Sequence, residues 1–177
     1  GVPLLKFAAD SGAKAIRHLI SADDFASRKK ADAVFDVVII GGGISGYSAV
    51  LEAKKKGLKA LLIESNSPFS TIENFPAGKP IYTYPANMEH EGEISLDAEV
   101  SDKESLLASL KQDIAQCEIE TLSAKASHIE RKNNLLQVIT EDNNSIRAHK
   151  VVVAIGRSGN FRQLDAKGQQ AEKVLNR

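Results

Sequence analysis

The sequence predicts an α/β fold in which a strand–helix–strand unit starts a parallel sheet, with a small antiparallel β-meander and a short helical N-terminal extension. Three patterns carry this prediction: a β-branched run that ends on a glycine cluster, a helical repeat of apolar residues after it, and a later stretch of alternating apolar residues. With 177 residues, 42% of them hydrophobic, the chain is long enough for one domain of average size with a sizeable core.

The composition excludes several classes of partner. Lys and Arg total 23, as do Asp and Glu, so no cationic excess exists to neutralise nucleic-acid phosphates or an anionic membrane. The single cysteine, Cys117, excludes an internal disulfide, and the scattered histidines His18, His90, His128 and His149 predict no metal site. No apolar run reaches the ~20 residues of a membrane span. We expect a cytoplasmic protein that binds neither nucleic acid nor membrane.

Residues 1–33 alternate short apolar groups with charges, which predicts two short helices ahead of the domain. Ser21, followed three residues later by Asp24, resembles the capped start of the second helix. The pattern changes at residue 34, where a β-branched run begins. We therefore expect 1–33 to be a helical extension that precedes the domain.

A strand–helix–strand pattern spans residues 34–63. Residues 34–40 form a short run of the kind that lies buried on both faces of a parallel sheet. A glycine cluster ends this run, apolar residues at helical spacing follow over 44–56, and Gly57 is placed to end the helix. A second apolar run at 60–63 completes one βαβ unit.

Residues 41–46 read G-G-G-I-S-G, which is the spacing G-x-G-x-x-G between a strand and a helix. At this place Gly41 suits a tight turn, Gly43 lets a diphosphate approach the backbone, and Gly46 lets helix and strand pack closely. The helix N-terminus adds unpaired N–H groups and a partial positive charge. Together these features predict a Rossmann-like dinucleotide-binding site.

Glu64 ends the second strand, 18 residues after Gly46. A carboxylate at that position can accept hydrogen bonds from both ribose hydroxyls of an adenosine, and it would repel a ribose 2′-phosphate. The half-site therefore suits FAD or NAD and disfavours NADP.

Residues 65–100 hold four of the five prolines, which predicts a mostly ordered loop with one brief strand at 81–83. Ser101 and Glu104 form a capping-box pattern ahead of a helix that ends near Gln116. The apolar stripe of this helix is formed by Leu106, Leu107, Leu110 and Ile114.

From residue 126 the apolar period drops to two. We expect three strands, at 126–131, 135–140 and 148–155, joined by turns at 133–134 and 142–144. This pattern predicts a small antiparallel meander inserted in, or packed on, the βαβ sheet.

Several segments resemble the FAD-dependent pyridine nucleotide-disulfide oxidoreductases, and within them the thioredoxin-reductase-like branch. Residues 36–64 resemble the FAD-binding fingerprint of that family, and 71–76, T-I-E-N-F-P, are similar to its T-x-x-E-N-F-P segment beside the flavin. Residues 151–157 resemble the A-T-G-type strand where the chain leaves the FAD domain, and 164–177 resemble the connector into an NADPH domain. Residues 81–85 are similar to relatives described as bacillithiol-disulfide-reductase-like or ferredoxin-linked.

The resemblance implies an incomplete FAD-binding domain at 34–160 and, at 161–177, a connector toward an absent NAD(P)H domain. It also implies cofactor-binding residues: for the diphosphate Gly41, Gly43, Ile44 and Ser45, with Gly46 in the same loop; for the ribose and adenine Glu64 and Ser65; near the isoalloxazine Thr71 and Asn74; beside the adenine Lys125 and Ala126; and in the exit strand Gly156. In thioredoxin reductases a glycine-rich stretch precedes the T-x-x-E-N-F-P segment, whereas here residues 66–70 read N-S-P-F-S.

The implied activity of the intact protein is electron transfer from NAD(P)H through FAD to a redox acceptor protein, such as ferredoxin, or to a small disulfide. No residue here is a convincing general acid, base or nucleophile, so we expect no catalytic residue and little turnover from this chain alone. Two alternatives stay open: an NAD(H)-binding dehydrogenase domain, and a non-catalytic dinucleotide-sensing or interaction module in which 1–33 would dock a partner. The electron acceptor and the oligomeric state, including a homodimer, also stay open.

Overall fold

The computed structural model describes residues 5–21, 34–82, 87–96 and 102–156, together with the single positions 85 and 167. These residues form four helices and six strands. The elements are α1 (Leu5–Ser21), β1 (Phe35–Ile40), α2 (Ile44–Lys55), β2 (Ala60–Glu64), α3 (Ser70–Glu73), α4 (Lys103–Ala115), β3 (Thr121–Ser123), β4 (Ala126–Lys132), β5 (Leu135–Thr140) and β6 (Ser145–Val153).

The six strands form one sheet in the order β3-β2-β1-β6-β5-β4. Strand β1 lies in its middle and pairs in parallel with β2 on one side and β6 on the other. Strand β3 continues the parallel part beyond β2, whereas β5 and β4 pair antiparallel beyond β6. The predicted α/β fold, with a βαβ unit and an antiparallel meander, is confirmed.

Strand β6 belongs to both halves of the sheet. Its residue Ala148 pairs with Leu136 of β5 and also with Phe35 of β1, so the strand joins the meander before this point and the parallel sheet after it. The prediction began this strand at residue 148, three residues too late, because the polar residues 145–147 interrupt the apolar pattern. The meander is therefore inserted in the main sheet.

Two hydrophobic clusters line the two faces of β1. Val37 and Ile39 pack with the helices, whereas Val38 and Ile40 pack with residues of β2, β5 and β6. Successive side chains of a strand point to opposite faces, so an apolar run without alternation fits a strand covered on both sides. The prediction that this run is buried on both faces is confirmed, since Val38 and Ile39 are 0% exposed.

Helix α1 packs its buried face on α2. Ala9, Ala13 and Ile16 are fully buried there, so the helix shares the core of the sheet domain. Ser21 is the last residue of this helix, and the second predicted helix lies outside the described residues.

Other departures concern short elements. The brief strand predicted at 81–83 is wrong at Ile81 and Tyr82, since among the described residues of this stretch only Pro80 pairs, through one bridge to Asp102; position 83 lies outside them. Asp102 caps α4 by accepting the N–H of Ser105 at 2.8 Å, whereas Ser101, the predicted cap, lies outside the described residues. The three-residue β3 was missed because so short a run has no readable period. In the part of the chain that is described, no helix has the length and apolarity needed to cross a membrane.

Candidate functional site

The glycine loop lies at the carboxyl end of the central strand. Residues 41–43 connect β1 to α2, which leads to β2 on one side, while β6 lies on the other side. A crevice outside the carboxyl ends of the strands, where neighbouring connections run in opposite directions, is where open α/β sheets bind ligands. Topology therefore places the predicted loop at the expected edge.

Two glycines of the loop are required by packing. Gly41 has φ +108°, and a Cβ there would lie 2.5 Å from the carbonyl oxygen of Ala154. A Cβ on Gly46 would lie 1.8 Å from the carbonyl oxygen of Gly41. No side chain fits at either position, so the loop makes the tight turn and the close helix packing that the spacing predicts.

Gly43 is different because it faces open space. A Cβ there would meet no atom within 4 Å, and no side chain caps the helix that starts behind it. The first N–H groups of a helix lack intrahelical acceptors, and the helix dipole favours an anion beside them. Ile44 is buried under this turn, and the half-buried Ser45 places its hydroxyl 3.2 Å from the hydroxyl of Ser11 in α1.

Glu64 joins the loop through a glycine that the sequence did not single out. Its carboxylate accepts the backbone N–H of Gly42, that of Asn66 at 2.8 Å, and the hydroxyl of Ser65 at 3.4 Å. The predicted acid and the predicted loop thus lie in contact. Only the parallel pairing of β1 and β2 could have indicated Gly42, because that pairing brings the ends of the two strands together.

Phe69 ties the next segment to the same glycine. Its backbone N–H donates to the carbonyl oxygen of Gly42 at 2.9 Å, and its ring lies 4.9 Å from the ring of Tyr47. Phe69 is 1% exposed and adopts φ 59°, a left-handed conformation that is costly for a bulky residue. In the resembled family this stretch is rich in glycine, which adopts a left-handed conformation freely. Here Phe69 adopts that conformation, and the burial of its ring compensates for the cost.

The predicted flavin segment follows directly. Thr71 lies exposed on α3 and Asn74 directly follows this one-turn helix, and both are linked to the glycine loop through Phe69. Gly156, with φ 64°, is exposed two residues beyond Ala154, the residue packed on Gly41.

A lysine of α4 holds this segment from behind. The ammonium of Lys103 donates to the carbonyl oxygens of Glu73 at 2.9 Å and Phe75 at 2.6 Å, with its side chain 14% exposed. Hydrogen bonds from the Ser67 hydroxyl and from Lys111 hold the pKa of the Glu73 carboxyl below its usual range. Sequence reasoning missed Lys103, although a cation in the first turn of a helix opposes the dipole and could have indicated a tertiary role.

The chain that follows β3 lies beside the end of β2. The backbone N–H of Ala124 donates to the carbonyl oxygen of Glu64 at 3.0 Å, and the backbone N–H of Glu141 donates to the carbonyl oxygen of Lys125 at 2.9 Å. Ala126, the first residue of β4, lies two residues along the chain from Ala124, whose N–H binds the backbone of the acid. No group of three His, Cys, Asp or Glu side chains that could hold a metal occurs among the described residues.

The chain is similar to known proteins at the levels of family, sequence and structure. The family model described as pyridine nucleotide-disulphide oxidoreductase matches residues 35–175. A dihydrolipoyl dehydrogenase from Chlamydia trachomatis is 28% identical over 140 residues, covering 69% of this chain and 30% of the relative.

Solved structures of two reductases share the fold. A bacillithiol disulfide reductase from Staphylococcus aureus superposes with a TM-score of 0.64 at 21% identity, covering 77% of this chain and 43% of the other. A thioredoxin reductase from Streptococcus pyogenes has a TM-score of 0.56 at 25% identity, covering 77% and 39%. The chain spans less than half the length of each of these relatives.

Proposed function

Because the chain belongs to the pyridine nucleotide-disulphide oxidoreductase family, we propose that it holds FAD at the carboxyl edge of its parallel sheet. In the intact protein, electrons would pass from NAD(P)H through FAD to a disulfide, ferredoxin or similar acceptor. The observation that carries the proposal is the uncapped first turn of α2 beside the open space at Gly43, tied through Gly42 to Glu64.

The diphosphate would lie over Gly43. The backbone N–H groups at the start of α2, including those of Ile44 and Ser45, would donate to its oxygens, and the Ser45 hydroxyl would add one more donor. Gly41 and Gly46 serve this contact indirectly, since their packing lets the helix begin where the strand ends.

The adenosine would lie beside Glu64 and Ser65. The Glu64 carboxylate accepts one backbone N–H at each oxygen, and if the Ser65 hydroxyl turns away, each oxygen has a lone pair left for one ribose hydroxyl. The backbone around Ala126 would flank the adenine, because Ala124 is bonded to the backbone of Glu64. A carboxylate here disfavours a ribose 2′-phosphate by charge repulsion.

The isoalloxazine would lie beside Thr71 and Asn74, with Gly156 at the opposite rim. The Thr71 hydroxyl and the Asn74 amide offer a donor and acceptors of the kind that bond a ring with nitrogens and carbonyls. Bound flavin supplies the redox chemistry, and the residues of this chain bind and orient it. The segment is suited to orienting a ring because Phe69 and Lys103 hold it on two sides.

Titration of the purified chain with FAD, ADP and NADH tests the proposal. We expect a yellow complex with FAD, quenched flavin fluorescence, and competition by ADP, which carries the adenosine and diphosphate of FAD. Binding of NADH without binding of FAD would support an NAD(H)-binding domain instead. If none of the three ligands binds, the dinucleotide site itself is wrong.

A further inference from the structure

Helix α1 precedes the residues matched by the family model, yet it lies against the first turns of α2. A Cβ on Gly12 would lie 2.1 Å from the carbonyl oxygen of Ser45 and 3.0 Å from the backbone nitrogen of Ala49. The buried hydroxyl of Ser48 donates to the carbonyl oxygen of Ala9 at 2.6 Å. The two backbones thus touch at the end of α2 that carries the glycine loop.

Ion pairs and hydrogen bonds to Glu52 of α2 and to Glu91 fix the position of α1. Arg17 binds the carboxylate of Glu52 with two hydrogen bonds of 2.9 and 3.2 Å, and the Glu52 side chain is 1% exposed. Asp10, seven residues earlier on the same face of α1, accepts the backbone N–H of Glu91 at 3.2 Å, and the Arg17 guanidinium also pairs with the Glu91 carboxylate. A two-pronged guanidinium–carboxylate pair fixes orientation as well as distance, so α1 cannot rotate about its axis without breaking it.

One hydroxyl of α1 reaches the candidate site. The Ser11 hydroxyl donates to the carbonyl oxygen of Ala8 at 2.8 Å and lies 3.2 Å from the hydroxyl of Ser45. A hydroxyl carries one proton, and that of Ser11 is already donated, so Ser45 is the donor between the two. The proton that Ser45 would offer to a phosphate is therefore directed to Ser11.

A phosphate oxygen beside Ser45 would reverse this order. Ser45 would then donate to the anion and accept from Ser11, which would turn its proton away from Ala8. The Ala8 carbonyl oxygen loses little by this, because it also lies in the helical ladder of α1. Hydroxyls in a chain polarise each other, so the donation from Ser11 strengthens the one from Ser45.

We propose that Ser11 is a positioning residue for the cofactor diphosphate and acts through the hydroxyl of Ser45. The proposal rests on the proposed function, in which the loop at 41–46 holds that diphosphate. It makes α1 a part of the dinucleotide site and gives the extension a role beyond covering α2.

The test measures dissociation constants of FAD and ADP for the chain and for Ser11→Ala, Ser11→Thr, Ser45→Ala and the double alanine variant. We expect Ser11→Ala to weaken the binding of both ligands by about three- to tenfold, because the variant loses one hydrogen bond to the Ser45 hydroxyl, the group that would donate to the phosphate. Ser11→Thr keeps the hydroxyl and should restore binding. The double variant should bind as weakly as Ser45→Ala alone, because Ser11 acts only through Ser45.

Ser21→Ala is the matched control. The Ser21 hydroxyl makes the same bond to a carbonyl one turn back, that of His18 at 2.9 Å, at the exposed end of α1. Its loss should leave both dissociation constants unchanged. Equal binding by Ser11→Ala and the unsubstituted chain, or a loss that adds fully to that of Ser45→Ala, overturns the role of Ser11. Failure of the unsubstituted chain to bind either ligand overturns the proposed function and this role with it.

Discussion

Gly46 lies so close to Gly41 that a Cβ on Gly46 would stand 1.8 Å from the Gly41 carbonyl oxygen. Gly43, two residues along the loop from Gly41, would place a Cβ in open space. One loop thus contains glycines needed for packing and a glycine whose surroundings are empty, and substitution can separate the two requirements.

We expect Gly46→Ala to lower the free energy of unfolding by about 2–4 kcal/mol, because the methyl group overlaps backbone that cannot move without shifting α2. Gly43→Ala should change stability by less than about 0.5 kcal/mol, since its φ of −86° suits any residue. Gly43→Ala should nevertheless weaken FAD binding by about tenfold or more, because the methyl holds the diphosphate away from the N–H groups. Denaturant unfolding and FAD titration check both effects, and equal stability of the two variants would contradict the packing difference.

Replacement of Lys103 should weaken binding of the flavin end of FAD and leave binding of its adenosine diphosphate end unchanged. Without its ammonium, the carbonyl oxygens of Glu73 and Phe75 lose their donor and the segment that carries Thr71 loosens. We expect Lys103→Met to weaken FAD binding by about tenfold, near the lower end of what one charge-assisted hydrogen bond contributes, and to leave ADP binding unchanged. Lys54→Met is the control, because Lys54 donates to the carbonyl oxygen of Glu118, outside the site. An equal loss for FAD and ADP would show that Lys103 supports the whole fold instead.

The left-handed backbone of Phe69 should invert the usual order of alanine and glycine. Both Phe69→Ala and Phe69→Gly remove a buried ring and should cost about 3–5 kcal/mol of stability. Glycine should be the less harmful of the two by about 1 kcal/mol, because only alanine retains the strain of φ 59°. At Ile72, buried in the right-handed turn of α3, alanine should be the less harmful. Unfolding curves of the four variants check this, and the same order at both positions would contradict it.

The charge of Glu64 should govern discrimination at the ribose. We expect the chain to bind ADP more tightly than ADP with a 2′-phosphate, because the carboxylate repels the added anion. Glu64→Gln keeps an oxygen for the Gly42 N–H and removes the charge, so it should reduce the preference for ADP over its 2′-phosphorylated form. Competition against FAD measures the affinities for the two nucleotides. If their ratio is the same in Glu64→Gln as in the unsubstituted chain, Glu64 does not contact the ribose.

The pair of Glu52 with Arg17 should make stability depend on pH. The hydrogen bond from the Arg17 guanidinium holds the pKa of the Glu52 carboxyl below its usual range, against the opposing effect of burial. A carboxyl with a lowered pKa in the folded chain stabilises it above the unfolded value of about 4.3, and this contribution is lost as the pH falls toward the folded value. Thermal unfolding between neutral and acid pH should show a steeper loss for the unsubstituted chain than for Glu52→Gln. Parallel curves would contradict the assignment.

Much of the parallel sheet could be predicted because its signals are local. The β-branched run at 34–40, the glycine spacing at 41–46 and Glu64 lie within one βαβ unit, where period and turn chemistry decide the structure. The meander was predicted for the same reason, with its first and second strands nearly in place. The short β3 and the first residues of β6 could not be predicted because they have no apolar period of their own. They are strands because they pair with neighbouring strands.

The assembly of the site needed contacts between residues far apart in the chain. Gly42 joins Glu64 to Phe69, Lys103 holds the segment 73–75, and Gly12 brings α1 onto Ser45. No pattern along the chain predicts these contacts, because each depends on which element packs beside another and at what distance. The sequence alone determined the strand β1, the glycine loop at 41–46 and the position of Glu64. The contact between that loop and Glu64, the left-handed backbone of Phe69 and the packing of α1 on α2 were decided by the tertiary structure, because packing in the folded chain outweighs local preference.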